Sequence, residues 1–256
     1  HIGVPSVPVV KPGDIVDRGQ VIGEAAEGLS VPVHASVSGK VTAVYERIGS
    51  TGNKVTCVEI ENDFEDRDAA TIKPFEKRLP DTTPEEIIEV VKNAGIVGMG
   101  GATFPTYAKI QSAIGKATSL IINGAECEPY ITSDYREMME NPKGILEGTK
   151  AVMKITGIKK AYIGIESNKP RAIMLLDEMA KDYEGIEVVP LRTRYPQGGE
   201  KQLIYAVTGR KVPAGKLPSA VGVLVQNVNT ISFIDEFLRT GMPLIKKRVT
   251  VDGACV

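Results

Sequence analysis

A small all-β domain followed by an α/β domain on a mainly parallel sheet is the fold class this sequence predicts. Two textures carry that expectation. From Val7 to Glu61 the chain is rich in Val and punctuated by Gly, Pro and Ser, the composition of short strands joined by tight turns. From Thr83 onward, helices with marked ends alternate with short apolar strands, the pattern of helices laid on a parallel sheet. At 256 residues the chain is long enough to give each part its own core.

In the first part, Val7-Pro8-Val9-Val10, Val31-Pro32-Val33-His34 and Ser38-Gly39-Lys40-Val41-Thr42-Ala43-Val44 supply strand candidates. The stretch from Asn62 to Asp81 is charged and broken by Pro74 and Pro80, with neither strand nor helix period, and reads as a linker. Thr83-Pro84-Glu85-Glu86 sets an N-cap hydroxyl, a Pro at the first helical position and a Glu at the third, with Gly95 as the stop. Asn141-Pro142 opens a helix that Gly157 closes; Asn168 caps one from about Pro170 to Tyr183; Gly209 and Gly241 end two more. Between them lie strand candidates Leu120–Asn123, Ala161–Glu166, Ile186–Leu191 and Val221–Gln226. Arg248-Val249-Thr250-Val251 predicts a further strand. The division is therefore 1–65, a linker at 66–82, 83–245, and 246–256 as the start of a following β module.

Composition excludes several function classes. With 42% apolar and 25% charged residues the chain is an ordinary globular one. Basic and acidic side chains number 31 and 32, for a net charge of −1, so there is no global positive field for nucleic acid. The longest apolar runs, such as Val221–Val225, fall far short of the roughly 20 residues of a membrane helix, so membrane contact is expected only through partners. Cys57, Cys127 and Cys255 show no C-x-x-C spacing, and no metal or cluster site is expected from them; a reducing compartment suits them best. The chain opens on His1 without a charged-then-apolar leader, which reads as a segment of something longer.

The run Lys11-Pro12-Gly13-Asp14-Ile15-Val16-Asp17-Arg18-Gly19-Gln20-Val21-Ile22-Gly23-Glu24, with Val33–Val41 after it, resembles lipoyl and biotinyl carrier domains, which implies a barrel-sandwich fold for residues 1–65. Carriers present a lysine at a hairpin tip. Here Ala25-Ala26-Glu27-Gly28-Leu29-Ser30 contains none, so a structural role replaces the swinging arm. His34, alone in a strand, reads as packed and hydrogen-bonded.

The informative motif is Gly98-Met99-Gly100-Gly101-Ala102-Thr103-Phe104-Pro105-Thr106-Tyr107-Ala108-Lys109. Its glycines let backbone amides approach a flat or anionic ligand, and a helix starting near Thr106 points its positive end the same way. A glycine-rich turn between helices also stands without any ligand, so the residues alone leave both readings open. The run resembles the G-x-G-G-x-x-F-P-T-x-x-K loop of the flavin-carrying NADH dehydrogenase subunit of respiratory complex I. Leu120–Pro129, Gly199-Glu200 and Val225-Gln226-Asn227-Val228-Asn229-Thr230 are similar to that family's later motifs, in the same order. The resemblance implies a Rossmann-like FMN-binding α/β domain. Gly98, Gly100, Gly101 and Lys109 would cradle FMN, with Asn123, Asn227 and Thr230 facing it. Phe104 would stack on the nicotinamide nucleotide, Glu128 would lie at the reacting nicotinamide as the catalytic candidate, and Glu126 and Glu200 would line the pocket. A solvated surface carboxylate is the plain alternative for each Glu. Ala125 and Lys201 depart from the pattern, since the complex I family has acidic residues at both positions.

His1-Ile2-Gly3-Val4-Pro5, Ala125–Tyr130 and Gln197-Gly198-Gly199-Glu200-Lys201-Gln202-Leu203 resemble, over essentially the whole chain, the RnfC family. That resemblance implies a component of the Rnf complex, a ferredoxin:NAD oxidoreductase coupled to ion transport, with FMN and NAD(H) as cofactors and two 4Fe-4S clusters on a part outside this chain. It also implies other Rnf subunits and ferredoxin as partners, and a peripheral place on the cytoplasmic face of the bacterial membrane. An electron-transfer protein of amino-acid (proline) reductase systems shares the architecture, and a scaffold that has lost its flavin is the non-enzymatic alternative.

Overall fold

Two three-stranded antiparallel sheets form the first domain of the computed structural model, which describes residues 1–49, 52–77 and 81–254. One sheet holds β1 (Val7–Pro8), β3 (Val21–Glu24) and β4 (Val33–His34); the other holds β2 (Ile15–Val16), β5 (Gly39–Ile48) and β6 (Lys54–Asn62). Val16, Ile22, Ala35 and Val41 are buried between them, with Val10, Val44, Val58 and Ile60 packed around. Gly39 is required where β5 and β6 meet: its φ is +153°, and a Cβ there would fall 2.0 Å from the Glu61 carbonyl oxygen.

The segment read as a linker is tied to both domains. Arg18 exchanges backbone bonds with it (Arg18 N–H to Arg67 O, 2.8 Å; Ala69 N–H to Arg18 O, 3.0 Å), and the Arg18 guanidinium holds Asp68 at 2.7 Å. Further on, Phe75 N–H donates to Leu238 O at 2.9 Å. The first domain also sinks a loop into the second, since Val31 belongs to the main core of the α/β domain and the Tyr107 hydroxyl donates to Gly28 O at 3.4 Å. His34 is buried at this junction; burial lowers its pKa to about 4, opposed by its bond to the Asn93 backbone. Its other ring nitrogen, Nδ1, has no partner, so the packed reading holds and the hydrogen-bonding is half met.

The α/β domain runs α1 (Pro84–Asn93), α2 (Thr106–Ala113), β7 (Ser119–Gly124), α3 (Ser133–Glu140), α4 (Pro142–Thr156), β8 (Lys160–Glu166), α5 (Pro170–Ala180), β9 (Ile186–Leu191), α6 (Glu200–Thr208), a short 3-10 turn Pro218–Val221, β10 (Val223–Asn227) and α7 (Val228–Thr240). All four strands are parallel, in the order β10-β7-β8-β9. Pleat alternation sends Leu120 and Ile122 into the large core shared with α1, α4, α5 and α7, and Ile121 into a smaller one with Leu203 and Ile204 of α6. The expected helix ends are in place: Thr83 and Glu86 form a capping box, and Gly157, Gly209 and Gly241 are left-handed C-caps.

Two readings need correction, and one helix is added. Asn168 does not cap α5; Lys169 occupies the N-cap without a side-chain bond and the helix ends at Ala180, while the Asn168 amide turns back to Glu166 at 3.4 Å. The polar helix α3 went unread. Arg248–Val251 forms no strand: Arg248 reaches Glu140 at 2.8 Å and the Thr250 hydroxyl accepts Thr132 N–H at 3.0 Å, so polar anchors on α3 replace ladder partners. Cys255 lies outside the described residues. Among the described residues no helix is long and apolar enough to cross a membrane.

Helices α4 and α7 touch backbone to backbone at Gly148, where a Cβ would lie 2.0 Å from Ile231 O. Gly148→Ala is therefore expected to force the helices apart and cost about 1–3 kcal/mol, read as a lower urea midpoint with unchanged far-UV dichroism in the refolded protein.

Candidate functional site

The sheet's strand order reverses between β7 and β10, where open α/β sheets form a crevice beyond their carboxyl ends. The parallel register sets Asn123 directly opposite Asn227 there. From that point a cleft of about 490 Å³ runs along the open edge of β10. One wall is the glycine loop, another is α2 with Ala108, Lys109 and Ser112, and a third carries Gly198, Glu200 and Leu217.

The glycine loop is closed at its base and tied down at its tip. Gly98 N–H donates to Phe104 O at 2.9 Å and Thr106 N–H to Ile96 O at 3.0 Å. Met99 N–H donates to the hydroxyl of buried Thr230 at 2.9 Å, which pins the loop to α7. Gly100 packs closely on Asn227, where a Cβ would come 3.3 Å from the Asn227 Cβ, whereas Gly101 is favoured by its φ of +117°.

Gly98, Gly100, Phe104, Lys109, Asn123, Glu200, Asn227 and Thr230 all line this one cleft. Gly101 lies on the loop and is not among the lining residues. Lys109 Nζ pairs with Glu200 Oε1 at 2.8 Å, both groups lying at helix starts without a side-chain cap. Such starts leave backbone N–H groups for an anion. Asn123 donates to Gly198 O at 2.9 Å and accepts from Ala125 N–H at 3.2 Å. Asn227 caps α7 by accepting Asn229 N–H at 2.9 Å.

Glu126 and Glu128 are not in that cleft. They line a neighbouring depression of about 530 Å³ with Tyr130, Lys169, Arg194 and Tyr195, and Cys127 and Gly198 lie between, joined by Gly198 N–H to Sγ at 3.3 Å. Glu128 lies beside the Tyr195 hydroxyl, whose pKa its charge and hydrogen bond push up. Glu126, at φ +48°, accepts the N–H groups of Asp134 (2.6 Å) and Tyr135 (3.0 Å), capping α3 from outside. Burial, reinforced by the Asp134 charge, outweighs those two bonds and lifts its carboxyl from 4.5 to about 7.

Several residues that sequence reasoning passed over hold the site together. Asp134, its own carboxyl pushed up by burial, accepts Asn227 Nδ2 at 2.9 Å and Asn229 Nδ2 at 2.6 Å. Lys169 donates to Ala125 O at 2.8 Å and Glu126 O at 3.2 Å, fixing the turn after β7. Gln226, 3% exposed, lines the cleft with an unpartnered Nε2. Nothing in hydrophobic period marks Asp134 and Lys169, which act across a long stretch of sequence. Ala125, one of the two departures, is fully buried, and a Cβ at Gly198 would already come 3.4 Å from it. Lys201 points away, to Pro213 O at 3.3 Å.

Comparison with known proteins matches residues 1–65 to the RnfC barrel sandwich hybrid domain and residues 91–236 to the Nuo51 FMN-binding domain. The chain belongs to the RnfC family. It is 47% identical over 257 residues to the C subunit of the Na(+)-translocating ferredoxin:NAD(+) oxidoreductase complex of Acetobacterium woodii, covering 100% of this chain and 58% of that protein. The proton-translocating counterpart of Clostridium ljungdahlii is 42% identical, with 100% and 56% covered. The C subunit of the ion-translocating oxidoreductase complex of Rhodobacter capsulatus is also 42% identical, with 99% and 49% covered. The chain thus spans about half the length of these RnfC relatives. In fold it is similar to the NAD+-reducing NiFe hydrogenase in its air-oxidized state, with a TM-score of 0.54 at 22% identity over 66% of this chain and 36% of that one.

Two outcomes are expected at this site. Because the folded chain keeps the Glu126 proton up to about pH 7 while the unfolded chain releases it near 4.5, stability from this group is full below 4.5 and falls as pH rises to 7. Glu126→Gln should flatten that part of the profile in urea unfolding between these values. Thr230→Val should leave Met99 N–H unpaired at a cost of about 1–3 kcal/mol, with faster amide exchange at Met99.

Proposed function

We propose that this chain is the flavin- and nicotinamide-binding part of an Rnf-type ferredoxin:NAD oxidoreductase subunit. One observation carries the reading: the glycine loop, Lys109 and the Asn123/Asn227 pair, scattered in sequence, line a single cleft at the strand-order reversal. FMN suits the residues present. Lys109 and the uncapped start of α2 provide positive charge and N–H donors for its phosphate. Gln226 brings a buried donor without a partner, and Gly98 and Gly100 line the cleft without side chains of their own.

Bound FMN would supply the step between a two-electron hydride carrier and one-electron clusters. The chain's residues bind and orient. The Lys109–Glu200 pair opens to let the lysine meet phosphate, the apolar wall of Ala108, Val223 and Val225 excludes water, and Asp134 keeps the Asn227 amide in one orientation. Phe104 would stack on the nicotinamide nucleotide, and Glu128, with Glu126, would serve the reacting ring from the adjoining depression. The 4Fe-4S clusters that would accept its electrons belong to the part of the family that this chain does not span. Other Rnf subunits and ferredoxin are its partners, at the cytoplasmic face of the bacterial membrane. The names of the relatives support this reading over the amino-acid reductase one.

Titration of flavin-depleted protein with FMN, followed by flavin fluorescence, tests the proposal. Micromolar or tighter binding is expected, and NADH should bleach the flavin band; no binding at millimolar FMN leaves only the scaffold reading. Lys109→Ala should weaken FMN by about tenfold or more, the worth of one charge-assisted contact, and leave riboflavin unaffected.

A further inference from the structure

Ile2 belongs by sequence to the barrel domain, yet it lines the flavin cleft of the α/β domain. Its backbone N–H donates to Thr103 O at 3.2 Å, and Thr103 sits in the left-handed region at φ +48°. Ile2 therefore touches the glycine loop one residue before Phe104.

The path of this N-terminal strap is narrowly specified. Val4 N–H donates to Leu29 O at 2.8 Å, and Gly3 crosses the same carbonyl so closely, at φ +114°, that a Cβ would fall 2.0 Å from it. Ser6 then holds Val31 O at 2.8 Å. The loop under the strap is itself seated on the α/β domain, through Gly28 on the Tyr107 hydroxyl and Val31 in the main core, 2% exposed. A continuous chain of contacts thus joins the α/β core, the barrel loop, the strap and the glycine loop.

We propose that the barrel domain supplies a wall of the flavin cleft, with Ile2 packing on the apolar ring of the bound flavin and the strap holding the loop carbonyl at Thr103. This rests on the reading that the cleft takes FMN. It assigns the lysine-free loop 25–31 the task of a footing for that wall. Because Ile2 acts on the ring and Lys109 on the phosphate, their losses separate: Ile2 variants weaken FMN and riboflavin alike.

The experiment uses the full-length protein, depleted of flavin and titrated with FMN and with riboflavin. Ile2→Glu should weaken both by about tenfold, the scale set by losing burial of an apolar side chain, and Ile2→Leu should restore most of it. If wild type binds FMN and Ile2→Glu binds equally well, the wall is overturned and the flavin reading stands. If Ile2→Glu weakens FMN alone, the ring assignment is overturned. If wild type binds neither flavin, the reading itself fails, and hydrogen exchange then decides the strap: Gly3→Val should speed exchange at Gly98 and Met99, and unchanged protection there overturns it.

Discussion

Parallel pairing of β7 with β10 is the constraint on which the rest depends. It brings together segments about a hundred residues apart and sets Asn123 level with Asn227. Everything at the site is referred to that pair. Asn123 holds the Gly198 carbonyl, so the third wall follows β7. Asn227 opens α7, whose first turn presents Thr230 to the glycine loop. A slip of one residue along this ladder would send the apolar faces of β7 to the wrong cores and break both sets of contacts.

Side chains that look like ligands from the sequence turn out to divide into two kinds. Lys109 and Glu200 keep their polar ends in the cleft, held by each other. Asn227, Thr230 and Glu126 spend most of their hydrogen-bonding capacity on the protein, so their effect on a ligand passes through the position of a loop or helix. The acid cluster of Glu126 and Asp134 belongs with them: two carboxyls raised by burial stabilise the start of α3 and, through it, the orientation of Asn227.

Local chemistry made much of the fold legible. Thr83 with Glu86, and glycines such as Gly157 and Gly241, announce helix ends because the signal is contained within one turn. The strands of the parallel sheet were readable because buried strands are short apolar runs. What escaped was non-local. Helix α3 is polar in sequence and is held by Met138 in the core and by Glu126 from another segment. Arg248–Val251 has a strand's composition and no strand beside it. The residues that the motifs single out fall mostly in one cleft, while Asp134, Lys169 and Ile2 act on positions far away in the chain and leave no periodic trace.

The barrel's loop at 25–31 carries one more consequence. A carrier domain works by mobility: its tip must enter an attaching enzyme and later several active sites. Here the corresponding tip is roofed by the N-terminal strap and floored by Tyr107. Gly28 itself stays exposed, but the backbone of the tip is held to the α/β domain and cannot swing. The same architecture that delivers cargo elsewhere serves here as a fixed bracket, and recovering a swinging arm would require releasing those contacts as well as adding a lysine.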